Sequence, residues 1–470
     1  MELKGKRVLV LGLGESGLAA ALWCLRQGAR ARVADTRAKP PYLEELGRRA
    51  AGADCQFVSG EFADSLLEGT ALVVISPGLP GDLPVLVAAR AAGIPVVGEI
   101  ELFAWGLRQR ATGAPVLAIT GTNGKTTTTA LAGDLLRSTG MRVGVAGNIS
   151  PAALTALMDA EDAGTLPDVW VLELSSFQLE TTETLAPAAA TVLNISDDHL
   201  DRYAGLADYA AAKARIFQGA GWQVLNRDDG RVLGMALPGR RVISFGLGAP
   251  MGEEDFGLRS EGGESWLVQG ERRLMPLVAL PLAGLHNAAN AMAALALCAA
   301  LGIDAADLLP ALRSFRGLPH RVEKVAEIGG VTWYDDSKGT NVGATVASLN
   351  GIGGQLAAGD PQERKIVVIL GGDGKAQDFS PLRDAVAAHA RAAVLMGRDG
   401  PLIGEAIAGS GVPVESAADM PDAVRRAAAL AQPGDAALLS PACASFDMFR
   451  NYEHRAEVFA AAVHGLEARA

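Results

Sequence analysis

Short apolar runs alternate with helix-like segments along most of this chain, the pattern of a largely parallel sheet covered by helices. Residues 7–11 read as a strand, 17–27 as a helix and 31–34 as a second strand, with further strands at 71–76 and 95–97. A joint spans 103–113. Beyond it come an apolar strand at 116–119, a helix at 128–136, strands at 169–174 and 191–195, short strands with turns over 219–275, and an Ala-rich helix after His286. A third unit starts near 318, with strands at 365–370 and 436–439. The pattern predicts an α/β fold of three domains, at 1–105, 106–317 and 318–470. The first and last are Rossmann-like, and the middle one rests on a mostly parallel sheet. A length of 470 residues agrees with about three domains.

Between the strand at 116–119 and the helix at 128–136 lie Gly121, Thr122, Asn123, Gly124, Lys125, Thr126 and Thr127. Glycines in such a loop let backbone N–H groups approach an anion, and the helix N-terminus adds partial positive charge. Lys125 suits the terminal phosphates of a nucleoside triphosphate, and Thr126 or Thr127 a Mg²⁺-binding hydroxyl, so the middle domain reads as a P-loop ATPase-like unit. The general pattern has Gly six positions before the lysine, where this chain has Ile119; a plain glycine turn is the alternative.

A second glycine loop, Gly12-Leu13-Gly14-Glu15-Ser16-Gly17, follows a strand and opens a helix, and Asp35 ends the next strand. Taken alone it argues for an NAD-dependent oxidoreductase in which Asp35 bonds a ribose hydroxyl. The same backbone donors hold any diphosphate, a nucleotide-sugar included. Ser76-Pro77-Gly78 ends a later strand at the same sheet edge.

Composition narrows the partners. Net charge is −11 with no basic stripe, which argues against nucleic acid. Cys24, Cys55, Cys298 and Cys443 are scattered without metal-ligand spacing and read as thiols in a reducing compartment. No signal peptide is apparent, and the most membrane-like segment, 288–303, is short for a span and carries Asn290. A cytoplasmic protein without membrane insertion is expected. Nine lysines stand against 33 arginines, and Lys213 alone lies between Lys125 and Lys324. An arginine cannot lose its proton near neutral pH, whereas a shifted lysine can and is then open to modification.

Glu173 ends an otherwise apolar strand, where a carboxylate is unfavourable unless paired or bound to a cation. Asp197-Asp198-His199-Leu200-Asp201 follows the strand at 191–195, which brings His199 to the same edge. Glu173, His199 and a loop threonine make a Mg²⁺ shell, although Mg²⁺ prefers oxygen. A structural histidine and a solvated Asp turn are the alternatives.

The ordered set GTNGKTT at 121–127, GN at 147–148, ELSSFQLE at 173–180, DHLDRY at 198–203, AAKARIF at 211–217, LHNAANA at 285–291, GLPHR at 317–321 and DDSKGTN at 335–341 closely resembles the Mur ligases, ATP-dependent amide-bond synthetases of peptidoglycan precursor assembly. GLGESG at 12–17 with DTR at 35–37, GGDGKAQDF at 371–379 and SPACASFDMFRNYEHR at 440–455 are similar to the branch that adds D-glutamate to UDP-N-acetylmuramoyl-L-alanine. The DNPR-type loop of the diaminopimelate or lysine ligases is absent. The resemblance implies that Glu15, Ser16, Asp35, Thr36, Arg37 and Gly78 hold the UDP moiety, while Asn148, Gln178 and His199 guide the muramoyl chain. It implies ATP binding by the loop residues 121–127 with Asn287, Asn290, Arg321 and Asp336. Thr126, Glu173, His199 and a Lys213 carbamylated by CO₂ would position two Mg²⁺ ions, with Lys125, Lys213, His199 and Glu173 as the catalytic set. Thr340, Lys375, Ser445 and Phe446 would recognise D-glutamate. The implied route runs through an acyl phosphate in a closed cleft, so the third domain moves toward the second. A monomer is expected. A dehydrogenase, a non-catalytic ATP-binding module and a sister ligase such as a folylpolyglutamate synthetase are the rival readings.

Overall fold

The computed structural model describes residues 2–110, 113–198, 202–357 and 364–467. Among these the chain builds three sheets of five, nine and six strands. In the first, the parallel order is Cys55–Ser59, Arg30–Asp35, Arg7–Leu11, Thr70–Ile75, Val96–Val97. The order reverses beside Arg7–Leu11, so the glycine loop after it opens at the switch point where α/β sheets take ligands.

The second sheet is centred on Val116–Thr120, flanked by Ala189–Val192 and Val169–Glu173 in parallel register. Ile119 lies beside both Glu173 and Thr191. One edge continues through Trp222–Asn226 and Val242–Phe245 to an antiparallel meander, Phe256–Glu261, Glu264–Gln269 and Arg272–Pro276. The third sheet is parallel except for Glu323–Ile328, which pairs antiparallel with Val331–Asp335.

Two expectations shift. The strand expected at 191–195 runs Ala189–Val192, and the residues after it leave the sheet to brace the phosphate loop. The helix expected at 128–136 runs Lys125–Ser138. Its first turns are threonine-rich, and β-branched side chains are poor helix formers, which masks the start. Gly124, at φ 82°, takes the left-handed turn that aims the N-terminus.

Candidate active site

Four strand ends of the middle sheet meet at the phosphate loop. The segment after Ala189–Val192 holds the loop open from below: the Thr122 amide donates to the Asn194 carbonyl at 2.9 Å, and the Asn123 amide to Asn194 Oδ1 at 2.8 Å. Asn194 Nδ2 returns a bond to the Asn123 carbonyl, and the Ser196 amide donates to Thr122 Oγ1 at 3.0 Å. Asn194 escaped sequence reading because the expected strand at 191–195 ran over it, and Ser196 because a polar residue just past a strand carries no distinctive signal. Lys125 Nζ folds over the loop and donates to the Gly121 and Thr122 carbonyls at 2.8 and 2.7 Å. Burial lowers its pKa, and Glu173 and Asp198 oppose that.

Glu173 is 2% exposed. Its Oε1 accepts from Asn148 Nδ2 at 2.7 Å, and its Oε2 is buried without a hydrogen-bond partner among the described residues. An orphaned carboxylate oxygen beside a loop threonine is a hard oxygen donor waiting for a hard cation, so these residues fit Mg²⁺. Lys213, on the helix Leu206–Ala214, is 1% exposed. Its Nζ donates to the Gly121 carbonyl at 2.8 Å and lies 4.6 Å from the centre of the Tyr209 ring. Burial, and secondarily Lys125, lower its pKa well below the lysine range. His199 lies outside the described residues.

The third unit reaches the same turn. Arg321 Nη2 donates to Thr126 Oγ1 at 2.8 Å, and Asn341 Nδ2 to Asn123 Oδ1 at 3.3 Å. A cavity of about 260 Å³ lies between the units, lined by Gly124, Asn287, Asn290, Arg321, Asp336 and the ring of Phe245. Asn290 presses on the loop so closely that a Cβ at Gly124 would sit 2.4 Å from its Oδ1. Asp336 accepts from Ser348 and Ser440, both at 2.7 Å, and burial raises its carboxyl to about 6. Asn226 and Asp228, also on its wall, were missed although Asn226 ends the strand Trp222–Asn226 on this same edge and Asp228 follows it.

A second cavity, about 640 Å³, joins Lys125, Thr126, Asn148, Glu173 and Asp198 to His320, Lys338, Thr340 and Tyr452. Lys338 Nζ stands 3.8 Å over the Tyr452 ring. Lys338 was missed because, unlike Lys213, it does not stand alone: Lys324, Lys365 and Lys375 lie near it in sequence. Thr340 lines this cavity, whereas Lys375, Ser445 and Phe446 do not. The Asp373–Ala444 bridge sets Lys375 near Ser445 elsewhere on the third unit, with Lys375 and Phe446 exposed and Ser445 buried.

At the first switch point, Asp35 accepts from the Leu13 amide, the Arg37 amide, and Arg37 Nε and Nη2, at 2.8–2.9 Å. Arg37 is the chief cause holding its carboxyl near 2. Four bonds fill the acceptor capacity of a carboxylate, so Asp35 shapes the loop, which counts against the rival dinucleotide reading in which it bonds a ribose hydroxyl. Thr36, Arg37 and Gly78 are exposed around it. Ser16 sits in the first turn of the helix Glu15–Arg26. Gln178 completes a capping box with Ser175, its Oε1 accepting the Ser175 amide at 2.9 Å.

Among the described residues no helix is long and apolar enough to cross a membrane. The Mur ligase MurD-like N-terminal domain model matches residues 6–98, the Mur ligase middle domain model 119–298, and the Mur ligase glutamate ligase domain model 320–443. The chain is similar to the UDP-N-acetylmuramoylalanine–D-glutamate ligase of Dechloromonas aromatica, 56% identical over 99% of this chain and 100% of that one. It is equally similar to the enzyme of that name from Aromatoleum aromaticum, 58% identical over 99% and 98%. Its fold is shared by MurF from Acinetobacter baumannii, with a TM-score of 0.61 at 18% identity over 98% and 91% of the two chains. Three matched domains in family order, and more than half of all positions shared with full-length relatives, make this chain a member of the Mur ligase family.

Proposed function

We infer that this chain is an ATP-dependent ligase joining the amine of D-glutamate to the L-alanyl carboxylate of UDP-N-acetylmuramoyl-L-alanine. The observation that carries the reading is the convergence on one helix turn of Lys125 and Thr126 from the middle unit and Arg321 from the third, beside the buried, half-satisfied Glu173. Relatives bearing that activity in their names, matched end to end, support the choice of amino acid.

A carboxylate is a poor electrophile, so it must first be activated. One oxygen of the L-alanyl carboxylate attacks the γ-phosphorus of ATP, ADP leaves, and an acyl phosphate forms. The D-glutamate amine then attacks the acyl carbon, loses a proton, and inorganic phosphate departs with the carboxylate's oxygen. Lys125 and Arg321 stabilise charge building on the phosphoryl oxygens. Asn148 holds Glu173 in place. Two Mg²⁺ ions, held by Thr126, Glu173, His199 and Lys213, would supply Lewis-acid neutralisation of the phosphates. Burial of Lys213 disfavours its ammonium form, and the neutral amine adds CO₂ with loss of a proton to become a carbamate anion. Turnover of Lys213→Ala restored by added acetate or formate supports this; no rescue counts against it.

In the same reading residues 1–105 carry the UDP end, 106–317 ATP, and 318–470 D-glutamate through Thr340, Lys375, Ser445 and Phe446. The enzyme acts as a cytoplasmic monomer in peptidoglycan precursor synthesis, on which cell shape and division depend. The decisive experiment places oxygen-18 in the L-alanyl carboxylate. Labelled phosphate is expected, and unlabelled phosphate from a working reaction would overturn the reading.

A further inference from the structure

Where the first unit meets the second, the fold buries an ionisable group that this chemistry does not use. Glu99 opens the helix Glu99–Arg108 and is 3% exposed. Its Oε1 accepts the Leu154 amide at 2.5 Å, while its Oε2 is buried with no hydrogen-bond partner among the described residues. The charged group acting on it is a second carboxylate, Glu15. A buried carboxylate with a single donor is unfavourable, so its burial here calls for a compensating role.

The donor supplies that role. Leu154 lies in the first turn of Ala153–Asp162, a helix of the middle unit. Glu15 grips the chain just before it, Oε1 accepting the Ala152 amide at 3.0 Å and the Ser150 hydroxyl at 2.8 Å. Two carboxylates of the first unit thus hold the start of one helix in the second, where unpaired amides gather. The residues leading into that helix run straight to the site. The Gly147 amide donates to the Pro151 carbonyl, the Asn148 amide to the Glu173 carbonyl at 2.7 Å, and Asn148 Nδ2 to Glu173 Oε1.

We propose that Glu99 is a positioning residue for phosphoryl transfer: it fixes residues 148–154 against the first unit, so that Asn148 holds Glu173 in register with the phosphate loop, and so that occupancy of the Glu15 loop by the UDP substrate is transmitted to that carboxylate. The role rests on the ligase reading above. Glu99 itself touches no substrate.

The test uses the full chain with Glu99→Gln, Glu99→Asp and Glu99→Ala. Glutamine keeps an acceptor within reach of Leu154, whereas aspartate keeps the charge but withdraws it by ~1.5 Å, one carbon–carbon bond. Small misplacements near reacting groups are magnified in rate. In Asp and Ala, kcat should fall about tenfold or more and KM for UDP-N-acetylmuramoyl-L-alanine should rise, while KM for ATP stays within about twofold. Gln should keep more than half of wild-type kcat. Hydrogen–deuterium exchange at the amides of 148–154 should quicken in Asp and Ala, with 121–127 unchanged. Asp equalling or exceeding Gln, unaltered exchange at 148–154, or a matching rise in KM for ATP would overturn the proposal. Should Ala not fold, the Gln and Asp pair still decides. Wild-type protein that releases no phosphate refutes the ligase reading instead, since the exchange measurement reports on Glu99 without turnover.

Discussion

The two seams of this molecule are built on opposite principles. The first unit and the middle one share a single apolar core in which Val10, Trp23 and Phe103 are contiguous with Trp170, Leu172 and Tyr209. Phe103 meets Trp170 edge-on, ring centres 5.1 Å apart. Buried glutamates stitch the same seam, Glu99 to Leu154 and Glu101 to the amides of Glu183 and Thr184 at 2.7 and 2.8 Å. The third unit has its own cores. It meets the middle unit where the helix Val342–Ala357 packs on Leu285–Ala299, and through polar contacts, Arg321 to Thr126 and Asn341 to Asn123, around two cavities. A shared close-packed core resists deformation, whereas a polar seam around cavities gives way with little loss. In the ligase reading, closure would therefore fall at the second seam, with the first as a rigid platform.

The largest effect should come from breaking the platform. Phe103→Ala removes a fully buried ring from the shared core and should cost about 3–5 kcal/mol in chemical denaturation. It should loosen both units together. Unfolding of the first unit alone, with the middle unit at its wild-type midpoint, would show that the core is not shared in energetic terms.

Arg321→Ala addresses the second seam and should do the reverse. Loss of a transition-state charge contact predicts a fall of about 10²-fold in kcat, with stability moved by less than about 1 kcal/mol, the scale of one hydrogen bond. A large drop in stability with kcat intact would mean that this seam is structural after all.

The sequence revealed the two seams unequally. The phosphate loop, Glu173 and Lys213 were legible because each breaks a local rule: glycines before a helix, a carboxylate ending an apolar strand, and a lone lysine among arginines. Ser196 and Asn194 were hidden because a polar residue after a strand looks the same whether it braces a loop or faces water. Glu99 was invisible for a related reason. Glutamate at the start of a helix is favoured by the helix dipole, and nothing local tells that this one is buried against another unit. The dinucleotide pattern stayed ambiguous in the sequence because glycine spacing records the turn and its helix packing, which are common to any diphosphate loop; the four bonds that occupy Asp35 depend on Arg37 and on tertiary placement.

Glu99 also gives the platform a pH signature. Its carboxyl is raised to about 7, chiefly by burial, from an ordinary value of 4.5. The folded state thus binds the proton more tightly than the unfolded one. That contribution is full below pH 4.5 and is lost as pH rises through 7. Glu99→Gln carries no such term. Relative to wild type it should gain on the order of 2–3 kcal/mol between pH 5 and pH 8, whatever its constant offset. Parallel stability–pH curves for the two proteins would remove the linkage.

The smallest effect should come from the surface ion pairs beside the same seam. Arg26 Nη1 reaches Asp162 at 2.7 Å, but the two side chains are 39% and 64% exposed. Such pairs contribute ~0–1 kcal/mol because solvent screens the attraction and two long side chains must be immobilised. If the platform is held by apolar contact, Arg26→Ala should shift the denaturation midpoint by less than about 1 kcal/mol, and 0.5 M salt, which shortens the Debye length to about 4 Å, should leave the wild-type midpoint almost unmoved. If instead Arg26→Ala were to rival Phe103→Ala, and salt were to weaken wild type by the same amount, the seam would be electrostatic, its rigidity would depend on ionic strength, and the contrast with the polar seam at Arg321 would dissolve.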